Sequence, residues 1–258
     1  MKNNIQALIN VGLLTIVLNS LPTNAAIING IVTGTVQYSS DSNDFDETFF
    51  FNAGNTNPYV GSNYTINFSI DTALAPLDGN IYGVDPYIGH YATDSGDSYN
   101  PQPHTDWLQM SLTVEEQTID LNGSRSSYIS LSDGTQNQNV DMLDIGNSDA
   151  FYVDYLNYEQ SELVLSMWDN DTLNNLITGD SLNQSFSWVN NGSPSVYAYG
   201  HLAIGRGQGT SELGYTSYDS ASLDLSIDTI QYSVVPVPPA IILFVSGLIG
   251  LIGFRRLI

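Results

Sequence analysis

Residues 63–70, with the sequence NYTINFSI, decide the fold. Apolar and polar side chains alternate strictly along this stretch, and the apolar set is Tyr64, Ile66, Phe68 and Ile70. Successive side chains of a β-strand point to opposite faces, whereas a helix would repeat its apolar residues every three or four positions. The stretch therefore predicts a β-strand with one face in a hydrophobic core and the other in water.

The same alternation recurs along most of the chain. Clear examples cover residues 108–114, 151–155, 163–167, 223–227 and 230–234, and shorter ones cover 31–38, 117–121, 128–131, 186–189 and 196–204. The apolar positions change phase between Ile227 and Ile230, which predicts a β-bulge near Thr229. About ten half-buried strands separated by Gly-, Asn- and Asp-rich turns predict an all-β fold: a single antiparallel β-sandwich of jelly-roll or Ig-like type.

Two segments depart from this pattern. Residues 172–182 have helical spacing at Leu173, Leu176 and Ile177, but Gly179 limits them to one or two turns. Residues 73–105 are rich in Tyr, Gly and Asp and are punctuated by four prolines. Long irregular loops of this kind often carry function, so this segment is predicted to hold a binding surface.

The C-terminal stretch 235–258, VPVPPAIILFVSGLIGLIGFRRLI, has three parts: a Pro-rich entry, an apolar run and an arginine pair. The apolar run from 240 to 254 would span about 22 Å as a helix, against a hydrocarbon core of about 30 Å. Flanking apolar residues and snorkelling arginines extend this reach, and the arginines place the preceding chain outside the inner membrane. A short buried core helix is the alternative.

This layout resembles the sorting signal of PEP-CTERM proteins, in the variant that opens with V-P-x-P. The matching residues include Val235, Pro236, Pro238, Ser246, Gly247, Gly250, Gly253, Arg255 and Arg256. The resemblance implies transient anchoring in the inner membrane and removal of the tail by an exosortase, a membrane transpeptidase. It also implies delivery to the cell surface or extracellular matrix in bacteria that make exopolysaccharide. Val-Pro-Val-Pro replaces the commoner Val-Pro-Glu-Pro, which leaves the exosortase variant open.

The N-terminal residues are typical of a secretory signal peptide. Lys2 precedes an apolar stretch from 7 to 18, and Pro22 is followed by small residues ending in Ala25 and Ala26. Export by the Sec machinery and cleavage by signal peptidase after Ala25 or Ala26 are expected. A retained membrane helix is the alternative, but the apolar run is short for a span. The predicted organisation is a signal peptide (1–25), a β-sandwich ectodomain (26–234) and a sorting signal (235–258).

Charge and cysteine content restrict the function of the ectodomain. Residues 26–234 hold all 27 acidic residues but only two basic ones, Arg125 and Arg206, so their formal charge is −25. Such a field repels nucleic acid and anionic lipid, favours cations and suits high ionic strength. Cysteine is absent, which excludes thiol nucleophiles, Cys-ligated zinc and iron–sulfur clusters.

Carboxylates suggest one metal site. Asp169 and Asp171 follow an apolar strand, and oxygen ligands in such a loop suit Ca²⁺. No segment matches the EF-hand pattern. In so acidic a chain, solvated surface carboxylates are the alternative. Of the three histidines, His90 and His104 share the segment 73–105, whereas His201 alternates with Tyr197 and Tyr199 on one predicted strand face.

Aromatic side chains are the remaining functional signal. Tyr87, Tyr91 and Tyr99 lie in the segment 73–105, and Trp107 follows it. Exposed amphipathic rings suit sugar faces and protein partners, although these rings could instead cap the ends of the sandwich. No catalytic motif such as G-x-S-x-G is present. We therefore expect a non-enzymatic surface or matrix protein with exopolysaccharide as the candidate ligand. A secreted carbohydrate-active hydrolase and a purely structural matrix protein are the alternatives.

Overall fold

The computed structural model describes residues 26–42, 59–72, 74–75, 87–92, 107–121, 126–132, 141–154, 157–169, 176–177, 184–210 and 214–236. All regular structure in these ranges is β-strand, which confirms the all-β prediction. The strands are β1 (Ala26–Ser42), β2 (Asn63–Asp71), β3 (Tyr87–Ala92), β4 (Leu108–Val114), β5 (Gln117–Asp120), β6 (Ser126–Ser132), β7 (Asp141–Asp154), β8 (Asn157–Asp169), β9 (Phe186–Val189), β10 (Val196–Thr210) and β11 (Gly214–Pro236).

These strands form one sheet in the order β3-β6-β7-β8-β10-β11-β1-β2-β4-β5, with β9 paired to β11. Neighbouring strands run antiparallel. Between β1 and β11, hydroxyl pairs join Thr33 to Thr229 and Ser40 to Ser222, each at 2.7 Å. The residue numbers rise along β1 while they fall along β11, so this central pair is antiparallel as well.

Two strands differ from the sequence prediction. β3 lies inside the segment 73–105, which was predicted to be irregular, and it pairs with β6. β7 begins at Asp141, whereas the alternation pattern predicted a strand only from residue 151. The prolines and the many Gly and Asp residues around β3 argued against a strand there, although β3 itself contains Tyr and Ile. Residues 141–149 of β7 contain three Asp, an Asn and a Gly, residue types that are depleted in strands.

The burial pattern of β11 changes phase at the place where the sequence predicted a β-bulge, near Thr229. Ile227 and Ile230 are both buried although they are three residues apart. The pairing partner of β11 also changes here, because β10 pairs as far as Ser226 and β9 pairs from Thr229 onwards. β11 therefore contributes buried residues to the same core both before and after the phase change.

The two halves of the sheet meet at Asn147. This residue lies on β7 and is fully buried, and its side-chain amide donates hydrogen bonds to the carbonyl oxygens of Leu108 (3.2 Å) and Leu121 (2.8 Å). β7 and the β4–β5 hairpin are far apart in the strand order. The sheet therefore curves until its two halves face each other, and one cluster of buried apolar side chains draws residues from both halves.

Gly34 allows a close contact between three strands. Tyr64 of β2 lies opposite Gly34 of β1, and its hydroxyl donates to the carbonyl oxygen of Ser226 on β11 (3.1 Å). A Cβ atom at position 34 would come within 1.8 Å of that oxygen, so only glycine fits. Burial raises the pKa of Tyr64, and the nearby charge of Asp228 raises this pKa further.

A two-residue hairpin joins β4 to β5. Val114 pairs with Gln117, and Glu115 between them has a φ of +53°. A side chain in the left-handed region is strained relative to glycine. The hydroxyl of Ser62 donates to the Glu115 carboxylate (2.7 Å), which holds this side chain in place.

Residues Ile27–Val235 form one compact unit. Within the described ranges, no helix is long and apolar enough to cross a membrane. Ala26 is the buried first residue of β1, while Val235 and Pro236 end β11. Ala25 and the rest of the predicted sorting signal, from residue 237, lie outside the described residues, as do most of residues 172–182.

Candidate functional site

Three aromatic side chains lie together on the outer face of the sheet. Trp168 of β8 pairs with Tyr197 of β10, and their rings stack with centroids 5.6 Å apart and planes at 18°. Tyr199 meets Trp168 edge-on, also at 5.6 Å. Tyr197 and Tyr199 remain 49% and 45% exposed. Large rings that stay half in water while touching one another provide a surface suited to a flat, partly apolar ligand.

The alternation of β10 explains why these rings face outward. Leu202 and Ile204 are buried in the core, and Gly200 is buried with them, whereas residues 197, 199, 201 and 203 point the other way. On β8, Leu165 and Met167 likewise face the core and leave Trp168 on the outside. Core packing of one face thus fixes the position of the rings on the other.

A fourth exposed ring lies on the same face. Ser40 of β1 bonds to Ser222 of β11, and alternate residues of a strand share a face. Tyr38, two residues before Ser40, therefore lies on the same side as Asp224, two residues after Ser222, and it is exposed. We call Tyr38, Trp168, Tyr197 and Tyr199 the aromatic face. It crosses β8, β10, β11 and β1, a width of about 14 Å at the usual strand spacing.

Polar groups accompany the rings. His201 Nδ1 lies 2.7 Å from Asp224 Oδ1, and both side chains are partly exposed. An open cavity of about 470 Å³ is lined by Tyr199, His201, Asp224, Gln37 and Ser226 among others. A ring wall beside an amide, a hydroxyl and a carboxylate offers both stacking and hydrogen bonds, which is the combination that orients a polyhydroxylated ligand.

A further carboxylate lies on β7, the strand next to β8. Asp144 of β7 pairs with Ser166 of β8, which in turn pairs with Tyr199 of β10. Burial raises the pKa of Asp144, and a hydrogen bond with Ser166 partly counteracts this rise. With Asp224 and the exposed Asp228, this side of the sheet carries negative charge. The one arginine in the described ranges, Arg206, bonds to the fully buried Asp219 at 2.7 Å.

The aromatic residues that the sequence suggested as a binding surface are not the four that form the aromatic face. Tyr87 and Tyr91 lie in β3, and Tyr99 lies outside the described residues. Trp107 is only 3% exposed and belongs to the core cluster. Its carbonyl oxygen accepts a hydrogen bond from the Asp71 backbone (2.8 Å), so Trp107 continues the β2–β4 ladder instead of displaying its ring.

The predicted calcium ligand Asp169 is buried at the end of β8. It is 1% exposed and lies directly opposite Asp141 of β7, which is 4% exposed. The Ile177 backbone N–H donates to Asp141 Oδ2 (2.9 Å), which brings a distant segment to this pair. Asp171 lies outside the described residues, and the described part of the chain contains no group of three or more acidic or histidine residues at metal-binding distance.

A second open cavity, of about 540 Å³, lies where β1, β9 and β11 meet. Phe186 and Tyr232 stack on its wall with centroids 5.4 Å apart, and Asn29 and Gln231 also line it. Tyr232 is buried, and burial raises its pKa to about 12. Both aromatic rings here pack against the core, so the cavity offers less exposed ring surface than the aromatic face.

No family model, no curated protein and no solved structure matches this chain.

Proposed function

We propose that this chain is an exported, non-enzymatic surface or extracellular-matrix protein that binds polysaccharide through its aromatic face. The observation that carries this proposal is the pair of half-exposed rings of Tyr197 and Tyr199, each packed against the partly exposed Trp168 on an open sheet face. The two facing halves of the sheet support the finer description of the fold as a β-sandwich, with this face on its outside.

Sugar rings explain the chemistry of this face better than other flat ligands do. Nucleobases also stack on aromatic side chains, but nucleic acid binding requires basic residues to meet the phosphates. This ectodomain has a formal charge of −25 and has no lysine. A polysaccharide offers flat apolar ring faces together with hydroxyl groups, and the neighbouring Gln37, Ser226 and Asp224 can hydrogen-bond to hydroxyls.

The route to the cell surface is proposed from the two termini. The signal-peptide pattern in residues 1–25 and the V-P-x-P, apolar and arginine parts of 235–258 support export, transient inner-membrane anchoring and exosortase processing. Intact mass of the surface-exposed or released protein tests this route. We expect a product that lacks residues 1–25 and the tail beyond Pro236, whereas a product that keeps the C-terminal apolar run would refute processing.

Electrophoresis in gels that contain polysaccharide tests the binding function. The wild-type protein should be retarded by a polysaccharide that it binds, and a Tyr197→Ala, Tyr199→Ala variant should migrate as in a gel without polysaccharide. Val60→Ala, which removes a side chain that is exposed in a turn outside the aromatic face, is the matched control. Equal retardation of all three proteins would refute the role of the aromatic face.

Release of reducing ends in the same samples distinguishes binding from hydrolysis. A non-enzymatic protein releases none above background, while steady release would favour the carbohydrate-active hydrolase. A purely structural matrix protein would show neither retardation nor hydrolysis.

Calcium is a further candidate ligand at Asp169. Buried carboxylates are usually neutralised, paired or bound to metal, and Asp141 and Asp169 face one another in the interior. Calorimetry of the protein with Ca²⁺ and with a chelator tests the site. A melting temperature that rises with Ca²⁺ in the wild type and no longer rises with Ca²⁺ in Asp169→Asn would support the site, and a wild-type melting temperature that Ca²⁺ does not change would remove it.

A further inference from the structure

We propose that the aromatic face selects polysaccharides that carry protonated amino groups, with Asp224 as the carboxylate that meets the ammonium. This inference rests on the proposed polysaccharide-binding function and names the chemical class of its ligand. It follows from the charge of the ectodomain and from the position of Asp224 beside Tyr199.

The charge distribution opposes anionic polysaccharides. Arg125 and Arg206 are the only basic side chains other than histidine between residues 26 and 234, against 27 acidic ones. Arg206 is already bonded to the buried Asp219, so its charge is compensated. A uronic acid polymer would approach an acidic surface without a matching cation, whereas an amine-bearing polymer would be attracted to it.

The geometry places one carboxylate beside one ring. Tyr199 and Asp224 line the same open cavity, and Asp224 is 54% exposed at its side chain. Tyr199 and His201 are alternate residues of β10, and His201 lies opposite Asp224 on β11. The spacing of alternate strand residues is about 7 Å, so a substituent on a sugar that stacks on Tyr199 can reach the carboxylate.

His201 holds that carboxylate in place. Its Nδ1 atom lies 2.7 Å from Asp224 Oδ1, so one carboxylate oxygen is engaged by the imidazole. A carboxylate has about four lone-pair sites on its two oxygens, which leaves acceptor capacity for an ammonium group. His201 is therefore a positioning residue for Asp224.

Calorimetric titration with three hexasaccharide probes tests the selectivity. The probes are β-1,4-linked glucosamine, β-1,4-linked N-acetylglucosamine and galacturonic acid oligomers, each titrated into the exported protein at a pH at which the amines are protonated. We expect the glucosamine oligomer to bind most tightly and the galacturonic acid oligomer least tightly. The preference for glucosamine should shrink at high salt, because screening weakens attraction between exposed charges.

Asp224→Asn isolates the local carboxylate from the overall field. We expect it to weaken glucosamine binding by about two- to fivefold, the range of an exposed ion pair, and to weaken N-acetylglucosamine binding less, because the Asn amide can still hydrogen-bond to sugar hydroxyls. Asp120→Asn is the matched control, because it removes the same charge from an exposed position on the edge strand β5. It should leave both affinities as in the wild type.

Two kinds of failure are distinguishable. If the acetylated or the uronic acid oligomer binds as tightly as the glucosamine oligomer, or if both Asn variants act alike, the proposed selectivity is refuted while polysaccharide binding stands. If Tyr199→Ala binds every probe as the wild type does, or if no probe binds to the wild type, the aromatic face is not the site and the selectivity is refuted with it.

Discussion

Asn147 offers the strictest test of how the two halves of the sheet are held together. Its side-chain amide donates to the carbonyl oxygens of Leu108 and Leu121 across the core, and both hydrogen bonds are buried. Asn147→Ala removes both hydrogen bonds. Each is worth about 1 kcal/mol net, and each carbonyl that stays dry adds a desolvation cost of about 1–3 kcal/mol.

Part of this loss is offset. The carbonyl oxygen of the Asn147 side chain is buried and has no hydrogen-bond partner among the described residues, so the wild-type residue already carries a desolvation cost. We therefore expect a net loss of about 2–4 kcal/mol in the free energy of unfolding, which for a domain of this size lowers the melting temperature by about 5–15 °C.

Urea denaturation followed by tryptophan fluorescence measures this loss, because Trp107 and Trp188 report on the core. Asn67→Ala is the matched control, since Asn67 is exposed on β2, and it should change stability by less than about 0.5 kcal/mol. A similarly small effect of Asn147→Ala would refute the role of this residue in joining the two halves.

Three further predictions concern stability. Tyr64→Phe should lower the free energy of unfolding by about 1 kcal/mol because it removes the hydrogen bond to Ser226. Tyr232→Phe should be neutral or stabilising because the buried Tyr232 hydroxyl has no partner among the described residues. Urea denaturation midpoints compare the two variants, and equal losses of stability would refute the contrast. Burial raises the pKa of Asp144, so this residue favours folding at low pH and loses that contribution as the pH rises through its folded pKa. Asp144→Asn should therefore raise the melting temperature at neutral pH but not in acid, and a gain that is independent of pH would contradict this. Glu115→Gly should stabilise the β4–β5 turn by about 0.5–1 kcal/mol by relieving its positive φ, and a lower urea midpoint would show that the bond from Ser62 matters more.

Much of the fold could be predicted because one face of each strand is buried. β2 and β4 coincide almost residue for residue with the alternation pattern, and the phase change in β11 was visible from Ile227 and Ile230. The first half of β7 could not be predicted in this way. It places Asp141 and Asn147 inward, and their hydrogen bonds come from Ile177, Leu108 and Leu121, which are distant in sequence. Only the tertiary structure supplies these partners.

The candidate site was only partly predictable. Alternation placed His201 with Tyr197 and Tyr199 on one strand face, and the structure confirms this. The alternation could not predict that this face is exposed to solvent, because tyrosine occurs both in cores and on surfaces. Composition instead favoured the segment 73–105 and the adjacent Trp107, whose burial follows from its place at the start of the β2–β4 ladder. The pairing of Trp168 with Tyr197 depends on the β8–β10 register, which no local pattern specifies.

Tryptophan fluorescence during a polysaccharide titration tests the central claim most directly. Trp107 and Trp188 are buried in the core, so Trp168, which is partly exposed on the aromatic face, is the tryptophan that a ligand can cover. We predict that polysaccharide protects the wild-type protein from acrylamide quenching in a saturable way and that Trp168→Phe abolishes this protection. Unchanged quenching in the wild type, or equal protection in the variant, would contradict binding at the aromatic face.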